Sequence, residues 1–97
     1  MKSRNIIGPK VRRLRNHNGW SQNDLAIRLQ LLGMEEASRG KVSKIEARLV
    51  WVSDVDIFFL ACALRVAVGE LYPSLLQEGS NLYESIQHLK TSRYGVS

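Results

Sequence analysis

One cysteine, two prolines, two histidines and an aromatic fraction of 7% in 97 residues are low counts, and each scarcity removes a class of protein. Cys62 stands alone, so the chain has no internal disulfide and no cysteine-ligated zinc site, and a reducing cytoplasm is the expected compartment. His17 and His88 lie far apart with no carboxylate or cysteine motif beside them. That leaves no nucleophile–base pair and no metal set, so the chain is read as a non-enzyme without cofactor or metal. No apolar run approaches the roughly 18 residues of a membrane span, and MKSRNIIGPK lacks the apolar centre of a secretory signal. Exposed aromatic platforms of the kind that stack single-stranded RNA are missing as well. There is no internal repeat and no low-complexity segment.

What is abundant is positive charge, and it is regional. Residues 1 to 48 carry eleven Lys and Arg against four acids, whereas residues 49 to 97 carry three against five. A one-sided basic field of this kind is the electrostatic footprint of a nucleic-acid binder. The apolar fraction of 44% is ordinary for a globular protein and the length suits one domain.

The stretch from Ser21 to Arg48 organises the rest. Trp20-Ser21-Gln22-Asn23-Asp24-Leu25 is a helix start in which Ser21 caps, Asp24 reaches back in a capping box and Trp20 staples onto Leu25. Leu25, Ala26 and Leu29 face inward. Seven residues, 31 to 37, separate Gln30 from Ser38, more than the about three or four usual between such helices. Leu31 and Leu32 therefore extend the first helix, Gly33 caps it, and Met34 to Ala37 form a wider turn. A second helix runs from Ser38 to Ala47. Val42 and Ile45 turn inward, which leaves Arg39, Gly40, Lys41, Ser43 and Lys44 outward. That outward face has the chemistry of base readout in the major groove: Arg and Lys donate to guanine O6 and N7, Ser addresses several base edges, and Gly40 admits a close backbone approach.

Before this pair, residues 1 to 7 read as a flexible basic arm, and Gly8-Pro9 opens a helix that Asn18-Gly19 closes. After it, Ser53-Asp54-Val55-Asp56 forms a second capping box with a Val52 to Ile57 staple, and Ile57, Leu60, Ala61 and Leu64 make a core stripe. Val50, Trp51, Phe58 and Phe59 exceed what a small core can absorb. They form either a homodimer contact or a surface covered by the C-terminal segment. Gly69 to Pro73 is a one-turn helix stopped by proline, and Asn81 caps a last amphipathic helix carrying Leu82, Tyr83, Ile86 and Leu89. The organisation is thus an arm at 1–7, a DNA-binding domain at 8–73 and a C-terminal helix with its tail at 74–97.

The ordered set of I-G-P-K-V-R-R-L-R at 7 to 15, S-Q-N-D-L-A at 21 to 26, V-S-K-I-E at 42 to 46, and L-A-C-A-L-R-V with G-E-L-Y at 60 to 72 resembles the lambda-repressor/Cro-type, or XRE-like, helix-turn-helix family of transcriptional regulators. The resemblance implies an all-α, five-helix bundle, here with an additional C-terminal helix. It also implies a homodimer on double-stranded DNA, with two recognition helices about 34 Å apart, that represses by occluding polymerase or, in some contexts, recruits it. Carried over residue by residue, it places Arg39, Gly40, Lys41 and Lys44 at base edges, Gln22 at a phosphate, and Arg15 in an ion pair with Glu46; Ser21 and Ser38 are read as phosphate contacts beside Gln22. Arg48 stands where the family usually has glycine, and is read as a further phosphate contact. The competing reading is an antitoxin-like module that binds a partner protein through the Phe58/Phe59 surface or the last helix, and DNA only secondarily.

Overall fold

Three of the four described α-helices begin at a serine whose hydroxyl accepts a free N–H of the first turn. The computed structural model describes residues 3 to 74 and Ile86. Among these it forms α1 at Gly8–His17, α2 at Gln22–Leu32, α3 at Arg39–Glu46 and α4 at Asp54–Leu64, followed by a 3-10 turn at Val68–Leu71. Pro9 opens α1, where its missing N–H costs no hydrogen bond. Ser21 and Ser53 open α2 and α4 in complete capping boxes with Asp24 and Asp56, and the Ser38 hydroxyl accepts from the Lys41 backbone N–H at the head of α3. The described residues are all-helical, with four α-helices where a five-helix bundle was expected. Val68 to Leu71 winds as a 3-10 turn because Pro73 stops it within a turn. The expected helix over residues 81 to 90 lies outside the described residues.

All four helices end alike. A residue in the left-handed conformation donates its N–H three residues back, and the apolar residue after it donates five back. The pairs are Gly19 with Trp20, Gly33 with Met34, Arg48 with Leu49, and Arg65 with Val66. Glycine meets this conformation without penalty at two of the four positions. At Arg48 (φ 64°) and Arg65 (φ 57°) an L side chain adopts it at a cost of about 1 kcal/mol.

Ile7, Val11, Leu25, Leu29, Val42, Ile45, Leu60 and Leu71 are buried at the centre, so every helix contributes to one core. Met34 and Ala37 are also buried, and they turn the long connection between α2 and α3 into a packed corner. Ala37 closes it by donating its N–H to the Met34 carbonyl and accepting the Gln30 side-chain amide.

Within the segment expected as a basic arm, residues 4 and 5 hydrogen-bond to the body of the domain. The Arg4 N–H donates to the Arg48 carbonyl at 2.9 Å. Asn5 donates its side-chain amide to the carbonyls of Ile45 (3.2 Å) and Val50 (2.9 Å), and its Oδ1 accepts from the Gly8 N–H. Asn5 thus ties the segment before α1 to the end of α3 and to the loop that follows it.

Candidate nucleic-acid interface

The candidate recognition helix is α3, whose inward residues Val42, Ile45 and Glu46 are buried. At its outward face Arg39, Gly40 and Lys44 are exposed, and Lys41 and Ser43 are partly so. Lys41 Nζ lies 3.5 Å from Glu36 Oε1 in an exposed pair, whereas Arg39 and Lys44 have no acidic partner among the described residues. Arg39, unpaired in the first turn, is unfavourable for the fold in isolation and is neutralised when an anion docks there, whereas Lys44 lies in the last turn, where the helix dipole favours a cation. A Cβ built on Gly40 would meet nothing nearer than Ser38 Oγ at 3.8 Å, so this glycine is not required by packing.

The rear of the helix is held by one carboxylate. Glu46 Oε2 accepts from Arg15 Nε at 2.6 Å, and Oε1 accepts from Arg15 Nη2 (3.0 Å), Gln22 Nε2 (3.1 Å) and Arg12 Nε (3.3 Å). Arg15 Nη1 donates to the Trp20 carbonyl at 2.7 Å, so a single guanidinium joins α1, the start of α2 and the end of α3. Burial opposes ionisation of Glu46, but the hydrogen bonds from Arg15 and Gln22 and the Arg15 charge outweigh it, holding the carboxyl below the ordinary glutamate range. Arg15 is correspondingly raised, first by its hydrogen bond to Glu46. No buried side-chain nitrogen or oxygen among the described residues is left without a partner.

The proposed phosphate contacts each have structural duties. Ser21 and Ser38 accept backbone N–H groups through their hydroxyl oxygens, which leaves each O–H free to donate outward. Gln22 spends one amide hydrogen on Glu46 and keeps another. Arg48 donates Nε to the Asn5 carbonyl at 2.9 Å, leaving its terminal nitrogens available.

Two features were not anticipated. Gly8 sits against the end of α3, where an added Cβ would stand 2.3 Å from the Ile45 carbonyl oxygen and 2.7 Å from that of Glu46. The Arg28 guanidinium covers the Trp20 ring at 3.9 Å from its centroid. The four residues grouped as one dimer surface divide into two pairs, Val50 with Trp51 and Phe58 with Phe59. Val50 and Phe59 are half-buried against the core. Phe58 and Phe59 line an apolar groove with Leu32, Val55 and Cys62, whereas Val50 and Trp51 stand beside Ser38, Gly40, Lys41 and Lys44. The separation follows from α4: Phe58 lies on its outer face, while Trp51 belongs to the loop that returns alongside α3.

Among the described residues no cluster of His, Cys, Asp and Glu could hold a metal ion, and no helix is long and apolar enough to cross a membrane. No family model matches the sequence, and no curated protein matches it. Among solved structures the chain is similar to the restriction-modification controller protein C.AhdI from Aeromonas hydrophila, with a TM-score of 0.60 and 33% identity. The match covers 68% of this chain and 87% of that one. With this likeness added to the capped α2, the exposed basic face of α3 and the Arg15–Glu46 pair behind it, the chain belongs to the lambda-repressor/Cro-type, XRE-like helix-turn-helix family of transcriptional regulators.

Proposed function

We propose that the protein is a sequence-specific, double-stranded-DNA-binding transcriptional regulator of the cytoplasm that reads the major groove with α3. The observation that carries this reading is the outward face of α3, where Arg39, Gly40, Lys41, Ser43 and Lys44 project from a helix whose back is locked by Val42, Ile45 and Glu46. Arg39, Lys41 and Lys44 supply donors to guanine edges. Ser21, Gln22, Ser38 and Arg48 supply the flanking phosphate contacts that set the register. The exposed apolar side chains Phe58, Val55 and Leu32 support assembly as a homodimer, which would present two copies of α3 to successive turns of DNA. The regulator acts as a repressor by occupying its site in place of polymerase. Similarity to a restriction-modification controller protein supports the genes of such a system as the regulated ones.

The test is a selection from random duplex DNA with purified protein at physiological salt, followed by sequencing. A two-fold symmetric enriched motif is expected. Binding without enrichment would refute sequence-specific readout, and reduce α3 to an electrostatic surface.

A further inference from the structure

Trp51 is 64% exposed, yet it is held on an anchored segment. The preceding residue, Val50, packs on the core, and its carbonyl accepts from Asn5 Nδ2 at 2.9 Å. Two residues later Ser53 begins α4 in a capping box. On one side the Arg4 guanidinium carbon lies 5.6 Å from the ring centroid, and Arg4 is itself fastened through its backbone N–H to the Arg48 carbonyl. On the other side Trp51 shares a shallow groove with Ser38, Gly40, Lys41 and Lys44.

We infer that Trp51, held by Arg4, is a contact for the sugar-phosphate backbone of duplex DNA alongside α3, a role that rests on the DNA-binding reading above. A protein partner that covered this indole would also have to desolvate Lys44 and Arg4, provide a carboxylate for each, and cover the Lys41–Glu36 pair beside them. A DNA strand meets both needs with one repeating unit. The deoxyribose offers an apolar face to the ring, and the phosphates accept from the cations and from the indole N–H. Gly40 leaves the adjoining wall of the groove without a side chain, so a strand can approach it closely. The contact is to the backbone and therefore adds affinity for every sequence alike. It also separates Trp51 from Phe58, which faces the apolar groove on α4.

The experiment uses the full chain and a labelled mixed-sequence duplex of about three helical turns, with binding followed by fluorescence anisotropy at several salt concentrations. Trp51→Ala is expected to weaken binding about tenfold, both for this duplex and for any sequence enriched by selection, with Trp51→Phe in between. The chain has two tryptophans, so Trp20→Phe leaves Trp51 as the single indole. Its quenching by acrylamide should fall when the duplex is added. Should the wild-type protein bind the duplex while Trp51 stays equally accessible to acrylamide and Trp51→Ala binds as well as wild type, this inference alone is overturned. A shift of Trp51→Ala from dimer to monomer in sedimentation, with Trp51 already protected before DNA is added, would assign the ring to a protein interface and overturn it too. If the wild-type protein shows no anisotropy change with any duplex, both this contact and the DNA-binding reading fall.

Discussion

Glu46→Ala leaves the Arg15 guanidinium facing the space from which its carboxylate was removed. The Arg15 side chain is 11% exposed and the Glu46 side chain is fully enclosed, so water cannot fully replace the lost partner. Four hydrogen bonds from three side chains end on this carboxylate. Breaking a buried pair by deleting one member costs about 3 to 5 kcal/mol, whereas an exposed pair such as Glu36 with Lys41 is worth about 1 kcal/mol or less. In a domain of this size each kcal/mol moves the melting temperature by about 4 to 8 °C. Glu46→Ala should therefore melt about 12 °C or more below wild type, and Glu36→Ala within a few degrees of it, both by calorimetry at neutral pH. The double variant Arg15→Met/Glu46→Leu removes both charges and should recover part of the loss. Melting temperatures for Glu46→Ala and Glu36→Ala that agree within error would refute the stranded-charge argument. A double variant as unstable as Glu46→Ala would show that lost packing, not lost charge, is what matters.

Because the folded Glu46 carboxyl lies below its unfolded value, its stabilisation is present above the unfolded glutamate range, near pH 4.3, and is lost as the pH falls toward the folded value. Melts between pH 6 and about pH 3 should thus fall more steeply for wild type than for Glu46→Gln, and equal slopes would contradict the assignment. Asp24, lowered first by the backbone N–H of Ser21, adds an acid-sensitive contribution common to both proteins. Gly8→Ala would drive a Cβ into the carbonyls of Ile45 and Glu46, forcing α1 away from α3 at a cost of about 2 kcal/mol or more. An unchanged denaturation midpoint would show that the helices separate freely. The Cβ of Gly40→Ala would make only an ordinary contact with Ser38 Oγ at 3.8 Å, so the substitution should raise stability by about 0.5 to 1 kcal/mol while weakening DNA binding in a titration. Undiminished affinity would mean that no strand approaches the backbone at that position.

What could be read from the sequence was whatever local chemistry announces. Ser21 with Asp24 and Ser53 with Asp56 mark helix starts within four residues, and both capping boxes are formed. Gly19 and Gly33 likewise mark helix ends, because only glycine takes the left-handed conformation without cost. Arg48 and Arg65 end α3 and α4 in the same way, yet nothing in an arginine signals it. The conformation there is imposed by the tertiary fold and stabilised by contacts such as the Arg48–Asn5 hydrogen bond. The same limit applied to Asn5 and Gly8, whose partners lie about forty residues away on α3 and in the following loop. It also explains why Val50, Trp51, Phe58 and Phe59 looked like one surface. Sequence shows surplus apolar area but not which way each side chain leaves the backbone. Once α4 turns Phe58 away from α3, the exposed apolar residues resolve into two surfaces with different electrostatic surroundings. Trp51 is set among Arg4, Lys41 and Lys44, whereas the Phe58 groove is lined by apolar side chains and Cys62. A basic rim suits an anionic strand and an uncharged one suits a second copy of the chain, so a dimer formed through Phe58 would leave the groove beside α3 open to DNA.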